Sequence, residues 1–138
     1  MANKWVLDCS VMAAIILSEK EGLEASEILE QALEGRIQIL VPALFWYEIG
    51  NVLTISVRSN RLAKDKAQEA LLQLGELPIN TDLPEDFIVR RRIFDLAVLH
   101  NLSAYDAAYL ELAERFNACL KTFDQALLKL RSRYSWIH

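Results

Sequence analysis

An acidic side chain falls on the apolar side of a predicted helix in the stretch SAYDAAYLELAER. At helical spacing Asp106 shares a stripe with Tyr109, whereas Glu111 is predicted on the opposite, polar flank. Ser103 and Asp106 also have the S-x-x-D spacing of a capping box, in which both side chains bond the backbone of the first turn. Asp106 is therefore either a cap or an acidic group at the rim of a cleft, where it would be a metal ligand or an acid/base group. The second role requires further acids at the same place.

Three other acids occupy positions of a similar kind. Asp8 and Asp124 each follow an apolar run that is typical of a buried strand. Glu48 falls on an apolar helix stripe that includes Ile55, where a charged side chain is expected to be paired or functional. Asp8 has the alternative of a turn residue before Ser10, which would cap the next helix, and Asp124 has the alternative of an N-cap. For Glu48 the alternative is a salt bridge or a carboxylate at the edge of the core.

Strands and helices are predicted to alternate around these acids, which indicates an α/β fold with a mostly parallel central sheet of about five strands flanked by helices. In such sheets sites form beyond the carboxyl ends of the strands, where Asp8 and Asp124 are predicted. With 138 residues, the chain is expected to form one domain, 1–138. Strands are predicted at 5–8, 37–41, 118–123 and YSWI, and LPIN is predicted to be a short strand or an extended link. Helices are predicted from Val11, at 23–34, from residue 43 to about residue 59, at KDKAQEALLQL, at 84–99, around Asp106 and at ALLKLR.

A site that gathers four carboxylates needs protons or a cation. Two unit charges about 4 Å apart repel by roughly 4 kcal/mol at an effective dielectric of 20. Oxygen ligands alone suit Mg²⁺ or Mn²⁺, whereas Zn²⁺ normally recruits His or Cys. The sequence has two Cys and two His, and His100 is predicted to end a helix and not to act as a catalyst.

The composition excludes several classes of protein. The apolar run VMAAIIL is too short to cross a bilayer, and Asp8 interrupts the region where a signal peptide would be apolar, so no membrane association is expected. Cys9 and Cys119 lie in apolar settings and are predicted to be reduced thiols of a cytoplasmic protein. The net charge of −4 argues against general affinity for nucleic acids. Basic residues could nevertheless form a phosphate-binding rim around a cleft, although a solvated helix face is the commoner arrangement: Arg90, Arg91, Arg92 and Lys121.

Four segments in order resemble the PIN-domain ribonucleases, and most closely the VapC-type toxins of toxin–antitoxin pairs. The segments are VLDCS, VPALFWYEIGNVL, SAYDAAYLELAE and CLKTFDQAL. The resemblance covers nearly the whole chain and is weakest in residues 60 to 100. It implies a PIN-like three-layer fold and an endoribonuclease that uses Mg²⁺ or Mn²⁺. It also implies a cognate antitoxin and a homodimer. The implied catalytic and metal-binding acids are Asp8, Glu48, Asp106 and Asp124, with Ser10, Asn51 and Thr122 as supporting polar groups.

Other functions fit the same residues less well. A phospho-receiver domain would need a pair of acids at the end of the first strand, and a haloacid-dehalogenase-like phosphatase would need Asp-x-Asp, but position 10 is Ser10. A metal-free ribonuclease would want a positioned His, and neither His100 nor His138 lies in such a constellation. A PIN-fold module that binds RNA or protein without cutting stays open as the alternative.

Overall fold

A computed structural model describes residues 3–138, and its centre is a four-stranded sheet with the strand order β3-β2-β1-β4. All three strand pairs are parallel, so the carboxyl ends of all four strands lie at one edge of the sheet. The strands are β1 (Lys4–Leu7), β2 (Gln38–Pro42), β3 (Ile79–Asp82) and β4 (Cys119–Lys121). The helices are α1 (Cys9–Ile16), α2 (Lys20–Leu33), α3 (Leu44–Arg58), α4 (Lys64–Glu76), α5 (Phe87–His100), α6 (Ala104–Phe116) and α7 (Gln125–Leu128), followed by a short 3-10 helix (Lys129–Ser132).

The predicted α/β fold with a parallel sheet flanked by helices is confirmed, but the prediction of about five strands is wrong. The segment YSWI contributes only a single bridge, between Ile137 and Leu120 of β4. Because the Ile137 amide donates to the Tyr134 carbonyl at 3.1 Å, the residues before it form a turn and cannot extend as a strand.

The two inner strands bury the side chains toward their carboxyl ends, as expected for a parallel sheet that helices flank. Val6 and Leu7 of β1 and Ile39 and Val41 of β2 have no exposed surface. This rigid centre holds the loops and helix starts that follow each strand in fixed positions. None of the helices in residues 3–138 has the length and apolarity needed to cross a bilayer.

The first turns of the helices differ in part from the predictions. Helix α1 begins at Cys9 instead of Val11, so Ser10 lies inside its first turn and is not its cap. Helix α5 begins after Asp86, whose side chain accepts a hydrogen bond from the Ile88 amide at 2.8 Å, and not at Pro84. These shifts matter for the site because Ser10 is free to bond elsewhere.

Candidate active site

The four predicted acids lie around one cavity of about 260 Å³ at the carboxyl edge of the sheet. Asp8 follows β1, Glu48 lies in the second turn of α3, Asp106 lies in the first turn of α6, and Asp124 precedes α7. Four separate elements thus bring one carboxylate each to the same place. The remaining side chains that line this acidic cleft are Cys9, Ser10, Ala13, Asn51 and Val52.

Asp8 is the most deeply buried of these acids, with 5% of its surface exposed. Its Oδ2 accepts hydrogen bonds from the hydroxyl groups of Ser10 at 2.8 Å and Thr122 at 2.7 Å. The Ser10 hydroxyl in turn accepts from the Phe123 amide, and the Thr122 hydroxyl accepts from the Asp124 amide, each at 3.0 Å. The two predicted supporting hydroxyl groups therefore join the end of β1 to the loop after β4 and fix the Asp8 carboxylate.

Burial raises the pKa of Asp8 above its ordinary value, and the nearby charge of Asp124 raises it further. The hydrogen bonds from Thr122 and Ser10 act in the opposite direction because they stabilise the ionised form. Asp8 is thus a carboxylate held in place at an electrostatic cost, which a bound cation would offset.

Glu48 is anchored by a tyrosine. The Tyr109 hydroxyl on α6 donates to Glu48 Oε1 at 2.6 Å, so the alternative of a salt bridge for Glu48 does not describe its contact. Burial raises the pKa of Glu48, and the charges of Asp8, Asp106 and Asp124 raise it further. The predicted apolar stripe is wrong at Ile55, which is 56% exposed. Glu48 lies beside the buried face of α3, which consists of Phe45, Ile49, Leu53 and Ser56.

Asp106 occupies a double position, since its backbone lies in a capped first turn and its side chain faces the cleft. The Ser103 hydroxyl accepts from the Asp106 amide at 3.0 Å, which caps α6, while the half-buried Asp106 side chain lines the cleft. Asp124 has a similar double position, since its Oδ1 accepts from the Ala126 amide at 2.8 Å and caps α7. Burial, followed by the charges of Asp124 and Asp8, raises the pKa of Asp106.

We expect Asp106→Asn to stabilise the metal-free protein by an amount that grows as the pH rises. The pKa of folded Asp106 is raised above the ordinary value of 3.8, so ionisation of this carboxyl group favours unfolding. The protonated Asp106 carboxyl group stabilises wild type fully below the pKa of the unfolded state. Wild type loses this stabilisation as the pH rises through the higher pKa of the folded state, whereas Asp106→Asn has no such loss. Urea unfolding of both proteins in EDTA, from about pH 4 to about pH 8, measures the difference.

The exposed Glu27 on α2 provides the control for this series as Glu27→Gln. Equal or lower stability of Asp106→Asn at the upper end of the pH range would contradict the electrostatic argument. It would favour a purely structural role for Asp106 in the first turn of α6.

The prediction for Glu111 is wrong. Glu111 is only 3% exposed instead of lying on a solvated flank. Its Oε1 accepts from Arg115 Nε at 2.7 Å, and the same guanidinium reaches Asp82 Oδ2 at the end of β3 at 2.6 Å. Because Arg115 bonds both carboxylates, Glu111 can be buried, and the two acids and the arginine tie α6 to the edge strand.

The structure does not bring the predicted arginine rim to the acidic cleft. Arg92 forms two hydrogen bonds to Glu114, which lies about 12 Å along α6 from Asp106 at 1.5 Å per residue. Arg90 and Arg91 are exposed on the same helix as Arg92, and Arg91 lies 3.8 Å from Asp95. Lys121 alone of the four basic residues ends a strand at the cleft edge, and its Nζ lies 5.3 Å from the centre of the Phe123 ring.

One cleft residue, Cys9, was not singled out in the sequence as a partner of the acids. Cys9 is buried against them, and burial, followed by the charges of Glu48 and Asp8, raises the pKa of its thiol to about 12. The position of Cys9 directly after Asp8 is the signal that could have shown it. His100, in contrast, ends α5 as predicted and contacts Tyr134 at 2.8 Å.

The donor set fits a hydrated hard cation. It consists of carboxylate oxygens with an amide and a hydroxyl group, which are the ligand types of Mg²⁺ and Mn²⁺. Within residues 3–138, no three Asp, Glu, His or Cys side chains stand close enough together to enclose one ion directly. Mg²⁺ keeps several waters and is commonly held by one or two carboxylates together with phosphate oxygens, so the oxygen donors that line this cleft are of the type it uses.

A parallel α/β domain with an acidic cleft at the carboxyl edge of its sheet is the class that these observations define. Residues 5–132 match the family model described as PIN domain, and the chain belongs to this family. The resemblance that was based on four sequence segments is thereby confirmed. The chain is also 32% identical over 124 residues to Ribonuclease VapC3 from Pyrobaculum aerophilum. The aligned residues cover 90% of this chain and 92% of the relative.

Solved structures show the same fold. PAE2754 from Pyrobaculum aerophilum superposes with a TM-score of 0.69 at 25% identity, over 94% of this chain and 80% of that chain. A chain from a toxin–antitoxin complex of Klebsiella pneumoniae has a TM-score of 0.64 at 18% identity, over 96% of this chain and 94% of that chain. These likenesses extend through residues 60 to 100, where the sequence segments had shown least resemblance.

Proposed function

We propose that this chain is an endoribonuclease toxin of a type II toxin–antitoxin pair and that it hydrolyses RNA with Mg²⁺ or Mn²⁺ bound in the acidic cleft. The observation that carries the proposal is the meeting of four carboxylates from four elements in one cavity. The relative named Ribonuclease VapC3 supports the choice of RNA as the substrate. Asp8, Glu48, Asp106 and Asp124 are the proposed catalytic and metal-binding residues.

The chain would contribute fixed oxygen ligands and a site for a proton. Asp8 is held by two hydroxyl groups and Glu48 by Tyr109, so neither carboxylate has to be ordered when substrate binds. A bound Mg²⁺ or Mn²⁺ would lower the pKa of a water and neutralise charge on the phosphate. The raised pKa of Glu48 suits its carboxylate to accept a proton from the attacking water. Asn51 is exposed at the cleft, where its amide can donate to a phosphate oxygen.

Metal removal is expected to abolish cleavage of RNA. A mixed pool of structured RNAs is incubated with wild type and with Asp106→Asn, each in Mg²⁺, in Mn²⁺ and in EDTA. Wild type is expected to cut with either metal and to stop in EDTA, and Asp106→Asn is expected to be inactive throughout. Attack by water with the 3′-oxygen as the leaving group gives a 5′-phosphate and a 3′-hydroxyl, so end-group analysis of the products checks the reaction type.

Glu114→Gln is the matched control, because Glu114 is an acid of the same helix that lies outside the cleft. It is expected to retain the activity of wild type. Cleavage that persists in EDTA, or products that end in a cyclic phosphate, would contradict the proposal. A folded wild type that binds RNA without cutting it would favour the alternative, a non-cleaving PIN-fold module that binds RNA or protein.

The partners that we propose are a cognate antitoxin, a second copy of the chain and an RNA substrate. The proposed location is the cytoplasm. The fold neighbour from a toxin–antitoxin complex supports the antitoxin, and the two free cysteines suit a reducing compartment. The large exposed side chains of Phe87, Phe94 and Val98 share one face of α5 and support the homodimer. Light scattering of the chain alone, and with the antitoxin added, measures both assemblies.

A further inference from the structure

The buried side chain of Tyr109 donates its hydroxyl group to one of the four acids of the cleft. The ring has no exposed surface, and its hydroxyl donates to Glu48 Oε1 at 2.6 Å. This bond joins α6 to α3, two helices that each carry one acid of the cleft. In the part of the chain that the structure describes, no buried side-chain polar atom lacks a partner, and for the Tyr109 hydroxyl that partner is Glu48.

Glu48 needs such an anchor because three other carboxylates face it. Asp8, Asp106 and Asp124 line the same cavity, and like charges at such range repel. A glutamate has a flexible side chain, and at the half-buried position of Glu48 it could turn toward solvent and escape that repulsion. The short bond from Tyr109 opposes this movement, because a hydrogen bond to an ionised acceptor is about twice as strong as one between neutral groups.

We propose that Tyr109 is a positioning residue that holds the Glu48 carboxylate in the cleft, with Oε1 engaged and Oε2 left for a divalent cation or its water. The inference rests on the proposed function, because it assigns Glu48 a role in binding the cation. Tyr109 itself touches neither RNA nor metal in this arrangement. Tyr109 affects metal binding and RNA cleavage only because it orients Glu48.

The variant Tyr109→Phe tests this, because phenylalanine fills the same space in the core and removes only the hydroxyl group. Binding of Mn²⁺ to the RNA-free protein, followed by electron paramagnetic resonance, is expected to weaken by about 10-fold to 100-fold, the range seen when a partner of a metal ligand is removed. The kcat for RNA cleavage is expected to fall by a similar factor, while KM for RNA changes little. Thermal melting in EDTA confirms that the variant is folded.

Two further variants separate positioning from general packing. Tyr105→Phe makes the same chemical change at an exposed tyrosine of α6 and is expected to match wild type in Mn²⁺ affinity. If Tyr109 acts only through Glu48, the double variant Tyr109→Phe/Glu48→Gln binds Mn²⁺ no more weakly than Glu48→Gln alone. Additive losses in the double variant would overturn the inference, because they would show an effect of Tyr109 that bypasses Glu48.

The outcomes also distinguish this inference from the proposed function. The role of Tyr109 is overturned if wild type binds Mn²⁺ and cuts RNA while Tyr109→Phe has unchanged Mn²⁺ affinity and kcat. The proposed nuclease function is then still supported. A folded wild type that neither binds Mn²⁺ nor cuts RNA overturns the proposed function and the inference with it.

Discussion

Asp8→Asn is expected to reduce RNA cleavage by at least about 1,000-fold while the protein stays folded, a loss typical of removing one essential catalytic group. Asparagine has the shape of aspartate, and its side-chain oxygen can still accept from Ser10 and Thr122. The change therefore removes the charge and keeps the connection between β1 and the loop after β4. The measurement is the cleavage rate under single-turnover conditions with Mg²⁺, together with thermal melting.

The variant Thr122→Val separates the loss of the Asp8 charge from the loss of a hydrogen bond to Asp8. Thr122 is buried, donates to Asp8 and accepts from the Asp124 amide. Its loss leaves that amide without its hydroxyl partner and is expected to cost about 1 to 3 kcal/mol of stability, with a smaller loss of activity than Asp8→Asn. The prediction is contradicted if Thr122→Val and Asp8→Asn lose activity equally and are both destabilised. In that case the hydrogen bonds of Asp8, and not its charge, would be needed for cleavage.

The convergence of the acids could be predicted because it depends on local patterns. Apolar runs mark β1 and β4, and a parallel sheet places the ends of its strands at one edge, so Asp8 and Asp124 were expected at the same edge. The Ser103 cap likewise fixes the start of α6 and therefore the position of Asp106. These inferences need only neighbouring residues and the rule for parallel sheets.

Contacts between distant segments could not be predicted in this way. The hydroxyl of Tyr109 reaches Glu48, 61 positions away along the chain, and helical spacing says only that Tyr109 faces inward. The alternation in YSWI is typical of a strand, but a turn that ends at Ile137 leaves only one bridge. Helical spacing placed Glu111 at the surface, because that spacing cannot show that its partner Arg115 is also held by Asp82, 33 positions earlier. In each case a tertiary contact decides what a local pattern leaves open.

Arg115→Met is expected to destabilise the fold by about 3 kcal/mol and to lower Tm by about 10 °C. Methionine keeps an unbranched side chain against Phe116, so the main loss is the guanidinium that bonds Glu111 and Asp82. The Glu111 side chain, 4% exposed, would then be a buried carboxylate without its cation. Urea unfolding in EDTA at neutral pH measures the change.

An exposed ion pair between α5 and α6 provides the control. Arg92 and Glu114 have side chains that are 45% and 36% exposed, so Arg92→Met is expected to cost at most about 1 kcal/mol. The double variant Arg115→Met/Glu111→Met removes the stranded carboxylate and is expected to recover most of the lost stability, because apolar replacements of buried ion pairs are often neutral. If the double variant were as unstable as Arg115→Met, the cost would come from the bond between Arg115 and Asp82, and thus from the attachment of β3 to α6.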